Sequence, residues 1–175
     1  MKRALALANK GRGWVSPNPM VGAVIVKDDE IVGEGYHEKF GKAHAEVNAL
    51  TAAGDEAIGA TMYVSLEPCN HTGKTGPCTE KIFEAGIARV VVAMVDPNPK
   101  VNHKGIDYLR SKGIVVVGNV LEEQARELNR AYAKFIQSGE PYILLKVAQT
   151  LDGRIASSSG HSKWVTSEDS RSASH

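Results

Sequence analysis

TMYVSLEPCNHTGKTGPCTEKIFEAGIARVVVAMV, residues 61–95, holds both the architecture and the chemistry of the chain. It reads as a strand (61–66), a loop carrying two cysteines, a helix near 78–85 and a second strand (89–95). Strand 89–95 is apolar on consecutive positions. So is 114–118, and this predicts strands covered by helices on both faces. The alternation continues outward, with helices near 104–112 and 122–136 on either side of 114–118. Upstream, VGAVIV (21–26), the polar turn Lys27-Asp28-Asp29-Glu30 and IVGEGYH (31–37) predict a β-hairpin. A helix over 44–53 is stopped by Gly54, and another over 3–10 by Gly11-Arg12-Gly13. Pro17-Asn18-Pro19 predicts a stiff loop, since each proline fixes its own φ and restricts its predecessor. The fold class is α/β, a three-layer α/β/α sandwich in which a hairpin is followed by βα units with right-handed crossovers.

Composition narrows the function classes. The chain of 175 residues is 42% apolar and 23% charged, the balance of an ordinary globular protein with a sizeable core. Its 21 basic and 20 acidic side chains leave a formal charge of +1. That gives no excess of positive charge to neutralise a long nucleic acid, and a small ligand fits better. No run approaches the ~20 apolar residues of a membrane helix. MKRALALANKGRGW lacks the length and cleavage region of a signal peptide, so a cytoplasmic location is expected. In a reducing compartment Cys69 and Cys78 point to metal binding or catalysis, not to a disulfide.

The chemistry rests on His44-Ala45-Glu46, Pro68-Cys69 and Pro77-Cys78. One imidazole and two thiolates give zinc three ligands and leave a fourth position for water, as in catalytic sites. Zinc brings the pKa of such a water towards ~7. Glu46 then moves protons and does not bind the metal, the known division of labour in zinc deaminases, whose general signature is H-x-E…P-C-x-x-C. In mid-helix, residues two apart point ~200° away from each other. His44 and Glu46 therefore converge only if His44 sits at the helix start, where Phe40-Gly41-Lys42 places it. Cys78 likewise opens its helix, where the dipole favours a thiolate. Ordinary buried thiols are one competing reading. A closed structural zinc site, with His71 as the nearest fourth candidate, is another. Eight residues separate the cysteines, where the general signature has two. In that insert His71, Thr72, Lys74 and Thr75 supply donors suited to a phosphate or polar heterocycle.

The motifs SPNPMVGAVIV (16–26), GEGYH (33–37), HAE (44–46), LEPCNHTGKTGPC (66–78), VDPNPKVNHKG (95–105) and KVAQTLDGRIA (146–156) resemble the bifunctional riboflavin-biosynthesis deaminase/reductase family along essentially the whole chain. The resemblance implies a sandwich of the cytidine-deaminase type. It also implies hydrolytic deamination of 2,5-diamino-6-ribosylamino-4(3H)-pyrimidinone 5′-phosphate, with zinc on His44, Cys69 and Cys78 and Glu46 as the proton carrier. The matching substrate-contact positions are Asn18, His37, His71, Lys74, Asp96 and Asn98. Strand-end capping and turn formation are the plainer roles for His37 and Asp96, since Asp96-Pro97-Asn98-Pro99 is also a turn signature. A nucleoside, base or tRNA deaminase with the same zinc site is the alternative enzyme. A non-catalytic zinc-stabilised binding module is the alternative outside enzymes, and Glu46 argues against it.

Ser138-Gly139-Glu140-Pro141 reads as a linker, which divides the chain into a deaminase domain (1–138) and a second segment (139–175). The latter opens with a predicted strand, YILLKVAQ (142–149), and continues rich in Ser and Gly. In the family this segment begins an NADPH-dependent reductase of dihydrofolate-reductase-like fold. The matching positions are Ala148 and Trp164 for the nucleotide and Ser162 for substrate. About 35 residues cannot form a core alone. The chain is therefore expected to deaminate and not to reduce, the second domain being cut short. The partners expected are a small phosphorylated aminopyrimidine and further copies of the chain in a homo-oligomer, with no nucleic acid and no membrane.

Overall fold

The computed structural model describes residues 1–70, 76–99, 101–163 and 165–173. Met1–Tyr142 and Ile143–His175 form two compact units.

The first unit is built on a five-stranded sheet in the order β2-β1-β3-β4-β5. Strands β1 (Gly22–Lys27) and β2 (Glu30–Tyr36) form the expected hairpin. Its two-residue turn places Asp28 and Asp29 at φ 49° and 64°. Positive φ at both central positions matches the right-handed twist of paired strands, and Asp tolerates it better than most residues. Strand β3 (Thr61–Val64) lies antiparallel to β1, whereas β4 (Arg89–Val92) and β5 (Val115–Val117) continue parallel to it.

Strand alternation sorts the side chains into two layers. Ala23, Ile25, Met62, Val64, Val90 and Val92 face the main core, together with Ala45, Ala49 and Ala53 of α2 (Ala45–Ala53) and Ile82 of α3 (Cys78–Glu84). Leu109 of α4 (Lys104–Ser111) joins the same cluster. Val24 faces the other way, onto Ala4 and Leu7 of α1 (Lys2–Asn9). The result is the three-layer α/β/α sandwich expected from the sequence. Helix α2 sits unusually close to the hairpin. A Cβ on Gly35 would lie 2.4 Å from Ala49 N and 2.5 Å from Ala45 O. Only glycine admits that approach, which fixes where α2 begins.

Three local expectations are revised. Strand β5 is an edge with Val115 and Val117 exposed, so only the Val116 side reaches the core. The helix expected over 122–136 is two helices, α5 (Glu122–Leu128) and α6 (Arg130–Ser138). They part at Asn129 (φ −103°), whose side chain is committed elsewhere, as described below. Residues 142–149 form no strand, since no ladder partner is present among the described residues. The second unit consists of turns closed by Gly153 N–H to Thr150 O and Gly160 N–H to Ser157 O, followed by a short helix α7 (Glu168–Ala173). No described helix is long and apolar enough to cross a membrane.

Candidate active site

His44 is the N-cap of α2, with extended backbone (φ −74°, ψ 163°), and Glu46 lies in the first turn. The irregular step at the cap lets both side chains face one cavity. Cys78 is the first residue of α3, following the cap residue Pro77. Cys69 follows the end of β3, and its carbonyl accepts Thr79 N–H at 3.3 Å. Thr79 Oγ1 also donates to Asn70 Oδ1 at 2.7 Å, which ties the cysteine loop to α3 from its far side.

These placements bring His44 Nδ1 to 3.3 Å from Cys78 Sγ and 3.6 Å from Cys69 Sγ. The three donor atoms all lie within 4.8 Å of one another. Hydrogen bonds from Cys78 and then His44 pull the Cys69 thiol down to about 4, while the Cys78 thiol is pushed up by its contact with Cys69 and by burial. His44 is raised, chiefly by its bond to Cys69. Two adjacent thiols, Cys78 buried and Cys69 half-buried, do not both ionise unaided, and a dication relieves that conflict. A soft N,S,S donor set of this spacing fits zinc, with no fourth protein ligand among the described residues.

Glu46 is 3% exposed. Burial pushes its carboxyl up to about 7, and the negative charge at Cys69 adds to this. A bound cation would act in the opposite sense.

Beside the donors lies a cavity of about 440 Å³, within the usual range for small-molecule sites. Asn18, His37, Asp96 and Asn98 all line it. His37 donates from Nδ1 to Ala43 O (3.0 Å), so its Nε2 accepts from Asn18 Nδ2 (3.0 Å). Burial lowers the His37 pKa, in keeping with that neutral tautomer. Its ring meets His44 edge-on, with centroids 5.4 Å apart. Asp96 Oδ1 accepts Asn98 N–H at 2.9 Å, so the turn role and the cavity role coincide. His71, Lys74 and Trp164 lie outside the described residues. Ala148 and Ser162 are exposed in the second unit.

Two groups at the cavity are not among the residues singled out from the sequence. Glu67 is 3% exposed, yet its carboxylate accepts four backbone N–H groups. Oε2 takes Asp96 (3.2 Å) and His103 (3.0 Å), and Oε1 takes Gly105 (3.0 Å) and Ile106 (3.3 Å). It thus fastens Asp96, His103 and the start of α4 beside Cys69. A Cβ on Gly105 would stand 2.0 Å from Pro68 O, so the approach depends on glycine. A carboxylate closing a strand next to Pro-Cys is the one hint of this role in the sequence. The second group is Tyr132 of α6, which also lines the cavity, and no spacing pattern marks it.

Residues 1–94 match the family described as the cytidine and deoxycytidylate deaminase zinc-binding region, and residues 141–175 match the RibD C-terminal domain. The riboflavin biosynthesis protein RibD of Aquifex aeolicus is 57% identical over 175 residues, covering 100% of this chain and 49% of that protein. The Escherichia coli protein of the same name is 52% identical over 171 residues, covering 98% and 46%. The crystal structure of a diaminohydroxyphosphoribosylaminopyrimidine deaminase/5-amino-6-(5-phosphoribosylamino)uracil reductase from Thermotoga maritima superposes with a TM-score of 0.93 at 46% identity, covering 99% of this chain and 50% of that one. The chain spans about half the length of the curated relatives it matches.

Proposed function

Because the chain belongs to the cytidine and deoxycytidylate deaminase zinc-binding family, we propose that it hydrolyses the 2-amino group of 2,5-diamino-6-ribosylamino-4(3H)-pyrimidinone 5′-phosphate in riboflavin biosynthesis. The observation that carries this reading is the clustering of His44, Cys69 and Cys78 beside a small cavity that His44, Cys69 and Glu46 line together with amide and carboxylate side chains. The similarity to the riboflavin proteins over the whole chain supports the choice of substrate.

His44, Cys69 and Cys78 would hold zinc, whose Lewis acidity brings the pKa of water from 15.7 towards ~7 when it is bound. Glu46 accepts the proton of the attacking water and delivers it to a ring nitrogen. It then assists departure of the amine, so that a C–O bond replaces the C–N bond and ammonia leaves. Burial keeps Glu46 dry, which suits a group that must take up and release a proton at neutral pH. Asn18, His37, Asp96 and Asn98 orient the pyrimidine through its amino and carbonyl groups. His71 and Lys74, in the insert between the cysteines, would meet the phosphorylated end.

Residues 1–138 serve as the deaminase domain in this reading, and 139–175 as the opening of a reductase domain. Ala148, Trp164 and Ser162 would contribute to NADPH and substrate binding only with the rest of that domain. A cytoplasmic location and a homo-oligomeric state belong to the same proposal. The test is a substrate panel: ammonia release from the phosphorylated diaminopyrimidine, cytidine and deoxycytidylate, each with and without a chelator. Chelator-sensitive release from the diaminopyrimidine alone is expected. Preference for cytidine or deoxycytidylate would replace this reading with the nucleoside-type one.

A further inference from the structure

Helix α6 lies beyond the residues that match the deaminase family, yet it forms one wall of the cavity through Tyr132, Phe135 and Ile136. Two polar contacts hold it there. At its N-cap the Asn129 side chain imitates a paired strand. Its Oδ1 accepts Met20 N–H at 2.8 Å, and its Nδ2 donates to Met20 O at 2.9 Å. Asn129 is 2% exposed, so this pair is dry, and Met20 stands two residues from Asn18 of the cavity. One turn further on, Tyr132 Oη donates to Asp96 Oδ1 at 2.9 Å. The backbone N–H of Asn98 engages the same oxygen at 2.9 Å.

We propose that Tyr132 is a positioning residue of this site. Its phenolic hydrogen fixes the plane of the Asp96 carboxylate that reads the donor edge of the aminopyrimidine, and so it sets substrate affinity. The proposal rests on the substrate reading given above. Oδ1 receives two donors from fixed directions, so the carboxylate cannot rotate without breaking one of them. Asp96 is 6% exposed, and an oriented charged acceptor in such a place discriminates strongly between donors and acceptors on a ligand. Tyr132 stays a donor throughout the working pH range. Burial raises its pKa above the ordinary phenol value, and the Asp96 charge adds to the effect. The Asn129 clamp keeps the helix from carrying Tyr132 away.

The experiment compares zinc-loaded full chains in steady-state ammonia release from the phosphorylated diaminopyrimidine: wild type, Tyr132→Phe, Asp96→Asn and the double variant. Loss of one hydrogen bond to a charged group predicts a KM raised about tenfold in Tyr132→Phe, with kcat changed by less than about threefold and zinc content unaltered. The double variant should be no worse than Asp96→Asn, because Tyr132 acts through Asp96. A Tyr132→Phe chain with wild-type KM would overturn the proposal, as would additive losses in the double variant or loss of zinc from Tyr132→Phe. If Asp96→Asn does not fold, the KM-against-kcat split of Tyr132→Phe decides alone. A wild-type chain inactive on this substrate overturns the substrate reading and this proposal with it. An active wild type with an unaffected Tyr132→Phe overturns only the proposal.

Discussion

Replacing Glu67 by glutamine exchanges one heavy atom and should cost much of the stability of the fold. The carboxylate takes two N–H groups on each oxygen, from Asp96 and His103 on one side and Gly105 and Ile106 on the other. An amide of the same shape accepts on one oxygen only and turns an NH₂ towards the other pair. Two backbone donors then lose their partners in a site that is 3% exposed. Each buried, unsatisfied N–H costs about 1–3 kcal/mol, so the substitution should cost roughly 2–6 kcal/mol. For a chain of this size each kcal/mol lowers Tm by about 2–4 °C, so a fall of at least ~4 °C is expected. The measurement is thermal unfolding of zinc-saturated protein followed by far-UV circular dichroism. Zinc content should be measured in parallel, because Pro68 and Cys69 adjoin the same loop. A Tm within about 2 °C of wild type would refute the reasoning, since it would mean that the four contacts are no stronger than solvent.

Cys69→Ala and Cys78→Ala should each lose zinc and stability together, because metal binding is coupled to folding, and full metal occupancy in either variant would remove that cysteine from the donor set. Gly35→Ala places a methyl group 2.4 Å from Ala49 N and should destabilise by about 1–3 kcal/mol or more while shifting the start of α2. Its readouts are a lowered Tm and weaker zinc retention against a chelator. Lys74→Ala should weaken binding of the phosphorylated substrate and spare a dephosphorylated analogue, and equal losses on the two compounds would exclude a phosphate contact.

The elements that position the site were legible because their signals are local. Gly41 in the preceding loop and Gly54 at the far end bracket α2, and the geometric demand that His44 and Glu46 converge placed His44 at the cap, where it stands. Pro68-Cys69 and Pro77-Cys78, read together with His44-Ala45-Glu46, singled out both thiols as donors, and all three donors meet. The features that escaped are non-local. Asn129 interrupts an otherwise regular helical pattern because its side chain reaches 109 residues back to Met20. Tyr132 meets Asp96 across 36 residues, and nothing on α6 distinguishes it from the half-buried apolar residues of any amphipathic helix. Residues 142–149 have the composition of a strand, but a strand exists only as a partner in a ladder, and composition does not say whether the partner is present.

Ammonia release by fully zinc-loaded Glu46→Gln, measured beside wild type on the phosphorylated diaminopyrimidine, tests the central claim most directly. The amide keeps the shape of the side chain and cannot carry the proton. The variant should retain its metal and its fold while turnover falls by about 10²–10⁴-fold. Turnover near the wild-type rate at full zinc content would contradict the assignment of Glu46 as the group that moves the proton.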